Sequence, residues 1–226
     1  MERIGIICAL TDEARDIIKD MKAVKEEKYF FAQFFSGTLY GKNVVLLCCG
    51  IGSDRAKIAT NILLSKYTID YVMILGAAGA LSPQIHTGDI LLADRIILHK
   101  LVVDSEEKNV HYRHFSSHYP LMEKGRKACV SIMPETNVKI GAIVTVEQFI
   151  ESKHTREILY RESNADCVEM ESWHIAEICS GNQVPFIAIR IISDQADSKA
   201  QDSFKDNIDS VAEKLRGITL SFIKAG

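Results

Sequence analysis

Nearly continuous apolar runs alternate along the chain with segments whose apolar positions recur every three or four residues. The first run, residues 3–10, is rich in isoleucine, which is typical of a strand buried on both faces. Thr11, Asp12 and Glu13 follow as a helix start with an acidic first turn, and this helix is predicted to end near Met21. Strands and helices in alternation predict an α/β fold with a largely parallel sheet.

The same two patterns predict the remaining elements. Further strands are predicted at residues 29–36, 43–49, 71–75, 88–98, 138–146, 165–168 and 184–192. Helices are predicted at residues 53–66, 120–133, 152–163 and 170–180, and in a last segment with one apolar stripe of Phe204, Ile208, Val211, Leu215, Ile218 and Phe222. The early strands are close enough for a hairpin. We therefore expect a single three-layer α/β domain, with a mixed, twisted central sheet that curls towards a barrel and is flanked by helices.

Residues 104–118 are the one stretch without periodicity, and they are interpreted as a mobile flap or a pairing surface. The chain of 226 residues is long enough for one sizeable domain, and 47% hydrophobic with 25% charged residues is ordinary for a globular protein. A net charge of −3 gives no reason to expect nucleic acid or an anionic membrane as a partner.

The location predicted for the protein is cytoplasmic. The first apolar run is too short for a signal peptide, and the longest one falls well short of the ~20 residues that a membrane helix needs. None of the six cysteines forms a C-x-x-C pair, which favours buried thiols in a reducing compartment over disulfides or a zinc site.

Acids and glycines follow several predicted strands, at the ends where α/β sheets form their binding crevice. They are Glu13, Gly50, Gly52, Gly76, Gly79, Glu147, Glu169, Glu171 and Asp194. Glu169 and Glu171 allow two interpretations. They are either ordinary acids at a helix start, which the helix dipole stabilises by ~0.3–1 kcal/mol, or parts of a polar site at the end of a strand.

Two further features restrict the chemistry. Gly50-Ile51-Gly52 lacks the third glycine of a dinucleotide fingerprint, because Arg55 stands there, and the chain contains no P-loop sequence. Arg190 lies inside the most apolar strand, where an unpaired guanidinium is costly, so a carboxylate partner is expected. That pair is either a structural ion pair or a device that orients a catalytic acid or a water molecule.

Six short motifs occur in an order that resembles the nucleoside phosphorylase/nucleosidase superfamily. They are Ile4-Gly-Ile-Ile-x-Ala-x-x-x-Glu13, Gly50-Ile-Gly52, Gly76-x-Ala-Gly79, Gly88-Asp89-Ile90, Val168-Glu-Met-Glu171 and Val184-Pro-Phe-x-x-x-Arg190-x-Ile-Ser193-Asp194. The similarity covers residues 3–224, and the last two motifs resemble the branch of 5′-methylthioadenosine/S-adenosylhomocysteine nucleosidases. The resemblance implies a single domain over residues 1–226 that cleaves the N-glycosidic bond of an adenine thionucleoside, without a metal or organic cofactor.

The resemblance also implies roles for individual residues. Asp194 is the expected general acid at the purine N7, positioned by Ser193, and Glu171 holds the ribose hydroxyls. Glu13 activates the attacking water with help from Arg190. The other expected substrate-binding residues are Ala9, Leu10, Ala77, Gly79, Phe149, Ile150, Glu169, Met170 and Phe204. The small-molecule substrate is the only ligand implied, and the chain is expected to form a homodimer.

Two departures from the family pattern leave more than one function open. Ala77 stands where a serine is usual, and Trp173 replaces a small residue, either as core packing or as a change to a neighbouring pocket. A phosphorylase of the same fold needs several cations at the site, and only Arg15, Arg55 and Arg190 are near predicted strand ends. A hydrolase of a futalosine-type nucleoside and a nucleoside-binding protein without activity are also compatible with these residues.

Overall fold

Ten strands form one mixed sheet in the computed structural model, which describes residues 2–99 and 114–225. The strands are β1 (Arg3–Cys8), β2 (Lys22–Tyr29), β3 (Ala32–Leu39), β4 (Lys42–Cys48), β5 (Tyr71–Ala80), β6 (Ile90–Leu98), β7 (His114–Phe115), β8 (Val138–Thr145), β9 (Cys167–Glu169) and β10 (Phe186–Asp194). The helices are α1 (Thr11–Asp20), α2 (Ser53–Lys66), α3 (Tyr119–Val130), α4 (Lys153–Ser163), α5 (Ser172–Gly181) and α6 (Ala200–Lys224), with a short 3-10 turn at Glu135–Asn137.

Strand β5 joins an open sheet to a closed barrel. On one side it pairs in parallel with β1, and the sheet continues through β4 and β3 to β2 at the edge. On the other side it pairs with β10, and the order β10, β6, β8, β9 returns to the end of β5, where Gly79 pairs with Val168. These pairings close a five-stranded barrel, so the predicted curling of the sheet is confirmed.

The strands are apolar on both sides because helices cover both faces. Ile4 and Ile6 of β1 pack in a core with α1, α3 and α6, whereas Ile7 points to the opposite core with α2 and α5. Helix α4 covers the barrel through Leu159. The helix, sheet and helix layers confirm the predicted α/β architecture.

Strand β2 is the longest element that the sequence pattern missed, and the two-residue β7 was missed as well. Nearly all residues of β2 are exposed and many are charged, so they carry no apolar alternation, and the strand is held by antiparallel pairing with β3.

The six cysteines are all buried and unpaired, as predicted. None of the helices in the described part of the chain has the length and apolar composition to cross a membrane. Most of the segment 104–118 lies outside the described residues.

Candidate active site

A cavity of about 520 Å³ opens at the carboxyl ends of β1, β5, β8, β9 and β10. Thirteen of the fourteen predicted site residues line this cavity: Ala9, Leu10, Glu13, Ala77, Gly79, Phe149, Ile150, Glu169, Met170, Glu171, Ser193, Asp194 and Phe204. The fourteenth, Arg190, is fully buried behind the wall of the cavity. The ends of β1, β5 and β10 meet because these neighbouring strands are parallel. The end of β9 reaches the same place because β9 pairs antiparallel with the last residues of β5 where the barrel closes.

Glu13 is held by backbone amides at the start of α1. Its Oε2 accepts a hydrogen bond from Leu10 N at 2.9 Å, and its Oε1 accepts one from Ala77 N at 2.8 Å. Burial raises the pKa of the Glu13 carboxyl, and these amide donors together with the positive charge of Arg190 partly oppose that rise. The carboxylate is therefore fixed in direction, while its basicity is increased for accepting a proton.

Gly76 allows Glu13 and Arg190 to approach the same point of β5. A Cβ atom added to Gly76 would come within 3.0 Å of both the Glu13 Oε1 and the Arg190 guanidinium. A side chain at this position would therefore displace one charged group or the other. The glycine predicted at this strand end is required by close packing, since its φ angle is not in the left-handed region.

Glu169 is the buried partner that Arg190 requires. Its Oε2 accepts hydrogen bonds from Arg190, from Glu171 N at 3.1 Å and from Ser172 N at 2.8 Å, and its Oε1 accepts one from the hydroxyl of Thr145. The predicted carboxylate partner of Arg190 is thus present. Glu169 also supplies the acceptor for amides at the start of α5, so its carboxylate is fully engaged within the protein.

The side chain of Glu171, two residues after Glu169, faces the cavity, whereas that of Glu169 is bonded to Arg190. The Oε1 of Glu171 accepts a hydrogen bond from Gly52 N at 2.7 Å, directly before α2, and the side chain lines the cavity. Burial and the negative charge of Glu169 raise the pKa of the Glu171 carboxyl well above its ordinary value. Of the two acids flanking Met170, Glu171 is therefore the one available to a ligand.

Asp194 lies at the end of β10 with both carboxyl oxygens in contact with its own segment. Oδ1 accepts a hydrogen bond from Ala196 N at 2.8 Å, and Oδ2 accepts one from the Ser193 hydroxyl at 2.7 Å. Burial raises the pKa of this carboxyl, assisted by the negative charge of Asp197 and opposed by those two donors. The environment thus favours the protonated acid.

Gly79 lies against the carboxyl group of Asp194, and a Gly79→Ala substitution tests how closely that acid must be held. The added Cβ would lie 2.8 Å from Asp194 Oδ1 and 3.2 Å from the Cβ of Ala196. We expect the stability to fall by about 1–3 kcal/mol through overpacking, and the turnover to fall roughly ten-fold or more because the acid is displaced. Thermal unfolding and steady-state kinetics measure the two effects.

Gly181→Ala is the matched control for this substitution, because nothing lies within 4 Å of a Cβ at the end of α5. Both variants lose a glycine, but only one of them crowds an acid of the cavity. Equal effects of the two substitutions on turnover would contradict the proposed dependence on the position of Asp194.

The lining of the cavity contains further residues that sequence reasoning missed. Besides Phe149, which is 46% exposed at the rim, and Phe204 from α6, the lining includes Ile51, Ala78, Val146, Gln148, Glu151, Val168, Gln201 and Lys205. Ile51 lies between two glycines and is half exposed, and that isolated apolar residue in a turn was an available signal. Lys205 and Gln201 line the cavity because the first turns of α6 lie beside it.

Trp173 does not line the cavity. Its indole is buried in the core, with its ring centroid 5.3 Å from that of Phe115, and its backbone N donates to the Thr145 hydroxyl at 3.0 Å. Core packing is therefore the correct one of the two interpretations of this residue.

Over residues 2–99 and 114–225, no cluster of three or more His, Cys, Asp or Glu side chains has a geometry that suits a metal ion.

Known proteins resemble this chain over nearly its whole length. Residues 3–224 match the family model of the phosphorylase superfamily. The chain is 31% identical over 219 residues to a 5′-methylthioadenosine/S-adenosylhomocysteine nucleosidase of Staphylococcus aureus, covering 92% of this chain and 93% of that protein.

Solved structures agree with this match. The nucleosidase of the same name from Neisseria meningitidis, in complex with methylthio-immucillin-A, has a TM-score of 0.90 and 27% identity with full coverage of both chains. A futalosine hydrolase mutant of Helicobacter pylori has a TM-score of 0.91 at 23% identity, also over the full length of both chains, which is a likeness of fold.

Proposed function

Because the chain belongs to the phosphorylase superfamily, we propose that it hydrolyses the N-glycosidic bond of 5′-methylthioadenosine, S-adenosylhomocysteine or both. The products are adenine and the corresponding 5′-thio-ribose. The observation that carries this proposal is the meeting of three buried carboxyl groups with raised pKa, those of Glu13, Glu171 and Asp194, around one largely apolar cavity.

Asp194 is the proposed general acid. A purine leaves C1′ readily only if a proton reaches its ring as the C–N bond breaks, and a carboxyl whose pKa is raised by burial is suited to donate that proton to N7. Ser193 keeps the carboxyl in place through its hydrogen bond to Oδ2. Phe149 and Ile150, which line the same cavity, are proposed to bracket the adenine ring.

Glu13 is the proposed base on the opposite side of the reacting carbon. It takes a proton from water while the water oxygen forms a bond to C1′, so that the proton given to adenine and the one taken from water balance. Arg190 lies close enough for its charge to act on Glu13, yet it is separated from the cavity. We therefore assign Arg190 to the orientation of Glu13 and Glu169.

Glu171 is proposed to bind the ribose hydroxyls, with Met170 packing against the sugar. A carboxylate in this place also stabilises the positive charge that develops on the ribose ring as the base departs. The engaged carboxylate of Glu169 supports a role in holding Arg190 and α5 over direct substrate binding. Phe204, Ala9 and Leu10 supply apolar surface that suits a 5′-alkylthio group.

The charges around the cavity favour water over phosphate as the nucleophile. Among the lining residues of the described chain there are five carboxyl groups and one cation, Lys205 at the rim. Arg15 pairs with Asp209 at 2.7 Å, and Arg55 stacks over the ring of Phe31. A phosphate dianion needs several cationic or amide donors, so the surroundings of Glu13 disfavour phosphorolysis.

Chromatography of the products from a nucleoside panel, with and without phosphate, tests this function. We expect adenine and free 5′-thio-ribose from the two adenine thionucleosides at rates that do not depend on phosphate. A sugar phosphate that appears only with phosphate would instead establish a phosphorylase. Cleavage confined to a futalosine-type nucleoside would establish a hydrolase of that substrate, and tight binding without turnover would exclude an enzyme.

The predicted homodimer and cytoplasmic location are retained as part of the proposal. Half-exposed Ile51 reaches the cavity, and Ile58 on the outer face of α2 is 48% exposed. A second copy of the chain would cover this apolar surface. Sedimentation equilibrium would give twice the monomer mass if the proposal is right.

A further inference from the structure

We propose that Asn207 of α6 and Arg156 of α4 are positioning residues that together hold the Asp194 carboxyl group in the cavity. This inference rests on the proposed role of Asp194 as the general acid. Each of the two side chains binds the backbone carbonyl of a residue adjacent to Asp194, Ser193 on one side and Gln195 on the other. Neither side chain lines the cavity itself.

The segment needs such support because β10 loses its regular pairing immediately before Asp194. The register with β5 runs from Phe186 to Ile192 and then shifts, so that Ser193 is skipped and Asp194 lies opposite Gly79. An extra residue of this kind bends a strand and leaves its backbone groups unpaired in the ladder. Buried carbonyl groups need another donor when the ladder does not supply one.

Asn207 supplies the donor on the first side. Its Nδ2 donates to the carbonyl of Ser193 at 3.0 Å and to the carbonyl of Ser203, one turn earlier in α6, at 2.8 Å. Both hydrogens of the amide are thus used, which fixes the side chain in one orientation. The bond ties the turn of α6 that follows Phe204 to the end of β10.

Arg156 supplies the donor on the second side. Its Nη1 donates to the carbonyl of Gln195 at 3.0 Å, from a helix that packs on the barrel. The side-chain amide of Gln195 lies 3.3 Å from the Thr87 hydroxyl, which is a weaker contact at the surface. Asn207 therefore fixes the peptide that enters Asp194, and Arg156 fixes the peptide between Gln195 and Ala196, whose N–H donates to Asp194 Oδ1. Two separate helices thus hold the backbone on either side of this carboxyl group.

The test compares Asn207→Leu and Arg156→Met, which remove the donors at similar side-chain size. We expect turnover to fall roughly ten-fold in each, because a catalytic group misplaced by ~1 Å can cost up to ~10² in rate, while KM changes by less than three-fold. The alkaline limb of the pH profile should move to lower pH, because an Asp194 carboxyl that is less well buried loses part of its raised pKa. Asp197 is the charged neighbour that acts on this carboxyl, and it is unchanged in both variants.

Lys214→Met is the matched control, since Lys214 of α6 also donates to a carbonyl, that of Gly88 at 3.1 Å, away from the peptides next to Asp194. Arg156→Lys keeps a cationic donor and should restore most of the rate lost in Arg156→Met. If Asn207→Leu fails to fold, the Arg156 pair carries the test. In an Asp194→Asn background neither substitution should lower the residual rate further.

Unchanged turnover in both variants, or an equal fall in Lys214→Met, would overturn the proposal. Carbon-detected NMR of the Asp194 carboxyl gives a second readout that does not depend on activity, and its pKa should fall in both variants. An inactive wild-type protein would refute the proposed function, whereas an active one with an unaffected Asp194 would refute only this positioning role.

Discussion

Asp194→Asn should abolish turnover while the fold is kept. The asparagine has nearly the same shape and can still accept the hydrogen bond from Ala196 N that now reaches Oδ1. It has no carboxyl proton to give to the departing purine, and general acid–base groups contribute typically ~10²–10⁴-fold. We expect a loss of at least ~10³-fold in kcat, with thermal stability close to that of the wild type.

The pH dependence of the rate gives a second check on the role of Asp194, because the direction of the expected change is known. The wild-type enzyme needs the protonated form of Asp194, so its rate is lost as the pH rises through the raised pKa of that carboxyl. That loss at alkaline pH should be missing from the residual rate of the variant. Asp206→Asn, the same change at an exposed position of α6, is the control and should behave as the wild type. A variant at Asp194 with a near-normal rate would exclude it as the general acid.

Glu13→Gln should have the second large effect. We expect kcat to fall by ~10²–10⁴-fold while ligand binding is retained. The carboxylate now accepts one amide hydrogen bond on each oxygen, from Leu10 and from Ala77. A glutamine has a single oxygen, so one of these amides faces an NH₂ group, and the side chain can no longer take a proton from water. Calorimetric titration with adenine separates lost catalysis from lost binding.

Asp12→Asn is the matched control for Glu13→Gln. Asp12 is the preceding acid in the same first turn of α1, but it is exposed to solvent and does not line the cavity. Its substitution should leave the rate unchanged. Full turnover by the Glu13 variant in phosphate-free buffer would refute the activation of water by that residue.

Much of the fold could be predicted because burial imposes a period on the sequence. Continuous apolar runs marked β1, β5 and β10, and the stripe at steps of three and four marked α6. Strand β2 has no such period, because it lies at the sheet edge with its side chains in water. The closure of the barrel joins β5 to β9 and β10, which are about ninety or more residues later. Nothing in the local pattern encodes those pairings.

The sequence by itself determined which acids follow buried strands, and those at the ends of the parallel strands β1, β5 and β10 meet at one edge of the sheet. The tertiary structure decided that Glu169 and Glu171 join them, because β9 pairs antiparallel with the end of β5. Only the tertiary structure decided which partner each of these acids has. Glu169 and Glu171 are two residues apart at a junction of strand and helix, and the local sequence pattern treats them alike, so that only the family resemblance assigned the ribose hydroxyls to Glu171. The guanidinium of Arg190, brought by a different strand, draws Glu169 into the interior. Glu171 is left facing the cavity, since a buried cation must be neutralised by the nearest acid that can reach it.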